Sequence, residues 1–172
     1  MDIINVVNSL TKHKTKKYRS RRIDGIKYIV VHHTLTGPSA MPRAIANYHV
    51  HTNNWPGIGY AYFIASDGRV FKTNNVGTMS YHVGKYNRES LGICLAGNFD
   101  TGVPTEKQLQ SLVTLITAII QSMRGIITDI DTQVIGHNDV PGYSWKSCPG
   151  KKFYSGGYMR RLRESVKINL GN

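Results

Sequence analysis

The chain has 172 residues, enough for one domain with a sizeable core and cramped for two. At 40% hydrophobic and 19% charged residues its composition is ordinary for a soluble globular protein. Twenty-two Lys and Arg against 10 Asp and Glu leave a formal net charge of +12. That field attracts polyanions (nucleic acid, an anionic membrane or a cell-wall polymer) without choosing among them.

Two cysteines, Cys94 and Cys148, cannot build a disulfide framework and read as reduced thiols. No segment approaches the roughly 18 apolar residues that cross a bilayer, so no transmembrane segment is expected. Residues 1–10 lack a basic n-region and do not read as a signal peptide. The expectation is a chain made in the cytoplasm that reaches an outside target after release by something else.

In chain order, residues 11–22 (TKHKTKKYRSRR) hold seven Lys or Arg and no acid, which reads as a solvated arm. The expected division is a basic N-terminal arm over 1–25 and one domain over 26–172. Residues 26–31 (IKYIVV) are apolar and β-branched, a buried strand running into His32 and His33. A helix is expected over 42–51, with Pro42 at its start. Residues 60–65 (YAYFIA) read as a strand, and the turn signal at 66–69 returns the chain as a hairpin through 70–72. Residues 90–97 (SLGICLAG) read as a central strand.

The clearest helix spans 105–125. Thr105 and Gln108 have capping-box spacing, one face carries Leu109, Leu112, Val113, Ile116, Ile120 and Met123, and Gly125 supplies the stop. A short strand over 133–136 delivers His137. Tyr158, Leu162 and Val166 recur every four residues and predict a closing helix. Interspersed strands and helices give an α/β domain with a central mixed sheet flanked by helices.

His32 and His137 each follow a strand, and Cys148 lies eleven residues beyond His137. Two imidazoles and a thiolate make a donor set suited to zinc, and three protein ligands leave a fourth position open, as in catalytic sites. The spacing alone carries little specificity. His33 points to the opposite face from His32 and reads as structural or as a support behind the metal ligands. His49 and His51 fall on the expected helix, His13 in the solvated arm. Cys94 reads as a small buried hydrophobe. Trp55 and Trp145 fit either core or groove wall.

Five ordered blocks go further: VVHHT (30–34), WPGIGYAYFIASDGRV (55–70), YHVGKYNRESLGICLAGNF (81–99), GHNDVPG (136–142) and KSCPGKKF (146–153). Together they resemble the type-2 N-acetylmuramoyl-L-alanine amidases, which share their fold with peptidoglycan recognition proteins. The Lys two positions before Cys148 resembles the short phage amidases in particular. The resemblance implies a Zn2+ site on His32, His137 and Cys148 at the sheet edge, catalytic Tyr60 and Lys146, and His82 lining the substrate groove. It implies hydrolysis of the amide between the lactyl group of N-acetylmuramic acid and L-Ala, with peptidoglycan as partner and anionic wall polymers as a fit for the charge. A phage or prophage endolysin acting as a monomer is expected.

Two departures from the family pattern stand out. Many bacterial members carry Glu where this chain has Cys94. The loop before Cys148 is also long, with 142–145 (GYSW) as the extra material. A host autolysin and a non-catalytic peptidoglycan-binding module are the competing readings. Non-catalytic relatives characteristically lack the ligand cysteine, so Cys148 favours the enzyme. A nucleic-acid binder finds no reader motif, and a zinc finger finds no paired C-x-x-C or H-x-x-x-H spacing.

Overall fold

The computed structural model describes residues 1–171. The strands are β1 (Ile3–Asn5), β2 (Tyr28–His33), β3 (Tyr62–Ile64), β4 (Val70–Lys72), β5 (Ser90–Leu95) and β6 (Val134–Gly136). The helices are α1 (Pro42–His51), α2 (Glu106–Ser122), α3 (Ile130–Gln133), α4 (Lys151–Ser155) and α5 (Tyr158–Leu170). The strands form one six-stranded sheet in the order β1-β4-β3-β5-β2-β6, in which β3 and β4 are antiparallel and the other pairs parallel. This is the mixed, helix-flanked α/β sheet that the sequence predicts.

β2 and β5 are buried on both faces, which is why they read as near-continuous apolar runs. Alternation still sorts their side chains. Ile29 and Val31 join Leu91, Ile93 and Leu95 beneath Leu112, Leu115 and Ile116 of α2 and Leu162 and Val166 of α5. The alternate set turns to the opposite face, where Cys94 packs with Phe63, Phe71 and Ile45 of α1. His32 pairs in register with Cys94, so it shares that second face. α2 begins where its sequence says. Thr105 accepts from Gln108 N at 3.0 Å, and the Gln108 side chain accepts from Thr105 N at 3.1 Å. Such a cap typically contributes about 1 kcal/mol.

The N-terminal region differs from the expected arm. β1 adds a parallel strand to β4, Leu10 is buried among Phe63, Phe71 and Ile45, and Ser20 bridges Thr78. His13 is not simply solvated: its Nδ1 accepts from Thr15 N and Lys16 N, and its Nε2 bonds Asn54 Oδ1. Arg21 is buried, donating from Nε to Val76 O and from Nη1 to the carbonyls of Asn87 and Ser90. The physical reason is that backbone pairing and a few isolated apolar anchors suffice to hold a basic segment whose other side chains face water.

Candidate metal centre and groove

The sheet's carboxyl edge gathers the three expected donors. His32 is next to last in β2, His137 opens the turn after β6, and Cys148 lies in the loop before α4. Their ligand atoms all fall within 4.8 Å of one another. His32 Nδ1 is 3.6 Å from Cys148 Sγ, and the rings of His32 and His137 lie 4.8 Å apart.

Hydrogen bonds fix the tautomer of His32. His82 Nε2 lies 3.2 Å from Ser90 O, and a carbonyl can only accept, so His82 carries its proton there. His82 Nδ1 must then accept, at 2.9 Å, from His32 Nε2. His32 Nδ1 is left with a free lone pair aimed at the cluster. Such an outer hydrogen-bond partner is what orients histidines that ligate a metal. Arg21 bonds the same Ser90 carbonyl, so the basic N-terminal segment supports the chain of contacts.

The donors are in the right state for a metal except for one proton. Burial lowers His32 well below its ordinary value, lowers His137 to about 4 and His82 to about 3, so the imidazoles are neutral at pH 7. Burial pushes the Cys148 thiol up to about 12, against the pull of the His33 N–H and the Lys146 ammonium. His137 Nε2 is buried with no hydrogen-bond partner. A buried nitrogen left unpaired costs about 1–3 kcal/mol, so the cluster holds an unmet donor as well as a soft ligand set. The residues fit a resident metal ion.

A groove of about 540 Å³ opens beside the cluster, lined by Trp55, Tyr81 and His82 together with His137, Tyr143, Trp145 and Lys146. Lys146 lies in it, its Nζ 4.6 Å above the Trp145 ring. Trp145 is 75% exposed, so the extra loop presents an open aromatic face rather than a core residue. The Tyr60 ring sits 5.1 Å from that of His32, and burial holds its hydroxyl protonated far above neutral pH.

The profile described as N-acetylmuramoyl-L-alanine amidase matches residues 20–151, a span that contains all six of these candidate positions. The chain belongs to this amidase family. Among curated relatives, a peptidoglycan-recognition protein of Drosophila melanogaster is 32% identical over 132 residues, 73% of this chain and 69% of the relative. Among solved structures, the Ph2119 endolysin from Thermus scotoductus MAT2119 bacteriophage Ph2119 superposes with a TM-score of 0.76 at 26% identity. That match covers 96% of this chain and 99% of that one. The N-acetylmuramoyl-L-alanine amidase LysC from Clostridium intestinale URNW gives a TM-score of 0.73 over 94% and 97% of the two chains; at 24% identity it speaks for the fold alone.

Within the amidase fold, several residues that hold the cluster carried no sequence signal. Asp100 clamps the Cys148 loop from both sides, accepting from Ser147 Oγ at 2.9 Å and from Lys151 N at 2.9 Å. Partial burial works to raise its carboxyl, and those bonds outweigh it and hold it below the usual range. Asn138 and Asp139, which follow His137 in the GHNDVPG block, accept from the Tyr154 hydroxyl, whose own position no sequence pattern marked. Asn138 N also donates to Cys148 O at 3.0 Å, so the loops carrying His137 and Cys148 brace each other. His49, expected on a helix, is buried there and accepts from Gly59 N at 3.0 Å. His33 accepts from Phe99 N on the opposite face of the sheet.

Proposed function

We propose that this protein is a zinc-dependent N-acetylmuramoyl-L-alanine amidase that lyses bacterial cell walls as a phage or prophage endolysin. The observation that carries the reading is the His32–His137–Cys148 cluster beside a groove lined by His137 and Lys146, with the Tyr60 ring 5.1 Å from that of His32. Zinc held by these donors supplies a Lewis acid for the amide carbonyl and lowers the pKa of water towards about 7. The remaining work falls to the chain's own groups. His82 holds His32 in the ligating tautomer while its other face lines the groove, where it contacts substrate. The Lys146 ammonium and the Tyr60 hydroxyl stabilise the oxyanion that forms as the carbonyl is attacked. Tyr60 stays protonated, so it serves as a donor. Tyr143, Trp145 and Trp55 offer apolar faces to the glycan and stem peptide.

The likeness to an endolysin over nearly the whole chain supports a wall-lytic role after release from the cell that made it. The relatives named as recognition proteins support the second reading, a domain that holds muropeptide without cutting it. Mass spectrometry of digested peptidoglycan separates the two. The amidase releases free amino groups on the first stem-peptide residue, creates no new reducing sugar ends, and stops when a chelator is added. Intact muropeptide after incubation with zinc-loaded protein refutes the hydrolase and leaves the binder.

A further inference from the structure

A second cavity, of about 370 Å³, lies between the N-terminal segment and the loops carrying Pro56–Ile58 and Thr73–Thr78. Its size falls in the range of about 300–1,000 Å³ common for small-ligand sites. Lys12, His13, Lys16 and Lys17 line it, and no Asp or Glu does. The chain's ion pairs lie elsewhere: the seven found among the described residues involve Arg22, Lys27, Arg69, Arg160, Arg161, Arg163 and Lys167. Three lysines that make none of these ion pairs, Lys12, Lys16 and Lys17, therefore share this mouth without a protein counter-charge.

The mouth is also built. Nδ1 of His13 accepts from the backbone of Thr15 and Lys16, and its Nε2 bonds Asn54, which fixes the turn that brings the lysines together. Lys16 Nζ is anchored on Asn54 O at 2.9 Å, while the ammonium groups of Lys12 and Lys17 have no hydrogen-bond or ion-pair partner among the described residues. Holding like charges together is unfavourable unless an anion joins them. Lysine ammonium groups are point charges suited to phosphate.

We infer that this cavity binds the phosphate groups of a polyol-phosphate wall polymer, and so anchors the enzyme on the wall beside its catalytic groove. The two sites share a wall one aromatic layer thick. Tyr18 lines the cavity and stands edge-on to Tyr81 at 4.9 Å, and Tyr81 lines the groove with Trp55. A strand of wall held by its phosphates would thus lie next to the scissile bonds. Single-stranded nucleic acid shares the phosphate but draws much of its affinity from bases stacked on aromatic faces. Tyr18, the aromatic residue in the lining, has its hydroxyl tied to Gly57 O and a ring edge against Tyr81. The inference rests on the proposed wall hydrolase for the source of the anion.

The test is calorimetric titration of the full chain with a glycerol-phosphate oligomer, with inorganic phosphate as competitor and single-stranded DNA as the alternative ligand. Lys12→Ala/Lys17→Ala should weaken oligomer binding at least tenfold and flatten its salt dependence. Lys107→Ala/Arg124→Ala removes the same charge from exposed positions outside the cavity and should change it less than twofold. Both pairs should turn over a small soluble muropeptide at the wild-type rate, so failure of the amidase reading shows separately, as no turnover by wild type. A circular dichroism melt checks folding, and Lys17→Glu alone serves if the pair is unstable. Equal loss in both pairs means a diffuse field and overturns the site. Tighter binding of DNA than of the oligomer overturns the ligand class, and no oligomer binding by wild type overturns both.

Discussion

Gly92→Ala tests the histidine chain without touching a donor. Gly92 lies in β5 directly under His82, and an added Cβ would sit 2.8 Å from its Nδ1, 2.9 Å from Cγ and 3.1 Å from Cε1. Comfortable contacts begin at about 3.5 Å, so the ring must retreat by about half an ångström or more. It has little freedom to do so. The His82 backbone is held by Asn87 Oδ1 at 2.9 Å, and both ring nitrogens are bonded, to His32 and to Ser90 O. The retreat stretches the 2.9 Å bond that sets the tautomer of His32. Loss of such an outer partner typically costs about 10–100-fold in metal affinity, or about 1.4–2.7 kcal/mol at RT ln 10 per decade. Overpacking adds a stability loss of about 1–3 kcal/mol. Chelator competition on folded protein reads the first quantity and urea unfolding the second. Gly25→Ala, where an added Cβ meets nothing within 4 Å, is the control. A folded Gly92→Ala protein with wild-type zinc affinity would refute the claim that His82 orients His32.

Three other outcomes are expected. His137→Ala should reduce bound zinc from about one per chain to a small fraction by elemental analysis, as loss of one of three protein ligands requires; full metal content in that variant removes His137 from the set. Lys146→Ala and Tyr60→Phe should keep the metal and lower kcat about a hundredfold or more with little change in KM, as the proposed action of both groups on charge that develops in the transition state requires; wild-type turnover in zinc-loaded Lys146→Ala rejects the oxyanion role. Metal-free protein should lose stability on mild acidification partly through His49. Burial lowers its pKa from an ordinary 6.5 to about 4, so the unfolded chain takes up the proton first, and the contribution present above pH 6.5 is lost as pH falls towards 4. By linkage this residue accounts for about 2 kcal/mol between pH 7 and pH 5. His49→Asn, which can still accept from Gly59 N, should flatten that slope in urea titrations, and an unchanged slope counts against the assignment.

The elements legible in the sequence are those whose signal is local and repeated. α2 announced itself through a capping box and a 3.6-residue stripe, and α1 through Pro42 at its first position. β2 was legible as an apolar run, though it extends through His33 rather than stopping before His32. β1 was not legible. Its Ile3 and Ile4 remain about 40% exposed, so the strand exists through backbone pairing with β4 and has no buried face to pattern. The dense charge of residues 11–22 likewise hid Arg21, whose guanidinium is buried against three carbonyls instead of water. Charge counting reads a segment's average, and a single buried cation departs from that average without altering the pattern.

The candidate site divides along the same line. The three proposed metal donors stand in short blocks whose order could be recognised, but nothing in those blocks says which nitrogen of His32 faces the cluster. That follows from a contact fifty positions away, because a parallel register sets Gly92 beside Val30, and the missing side chain at Gly92 leaves room for His82 to reach His32. Asp100 is similar. It reaches 47 and 51 residues along the chain to hold both flanks of Cys148, and an exposed-looking Asp after a strand has no periodic signature. Donors are constrained by chemistry, which restricts residue type and so leaves a trace in the sequence. Their supports are constrained by geometry, which several residue types can satisfy once the fold has placed them. A substitution at Gly92 or Asp100 should therefore disturb the metal centre while every residue expected to bind the metal or the substrate is intact.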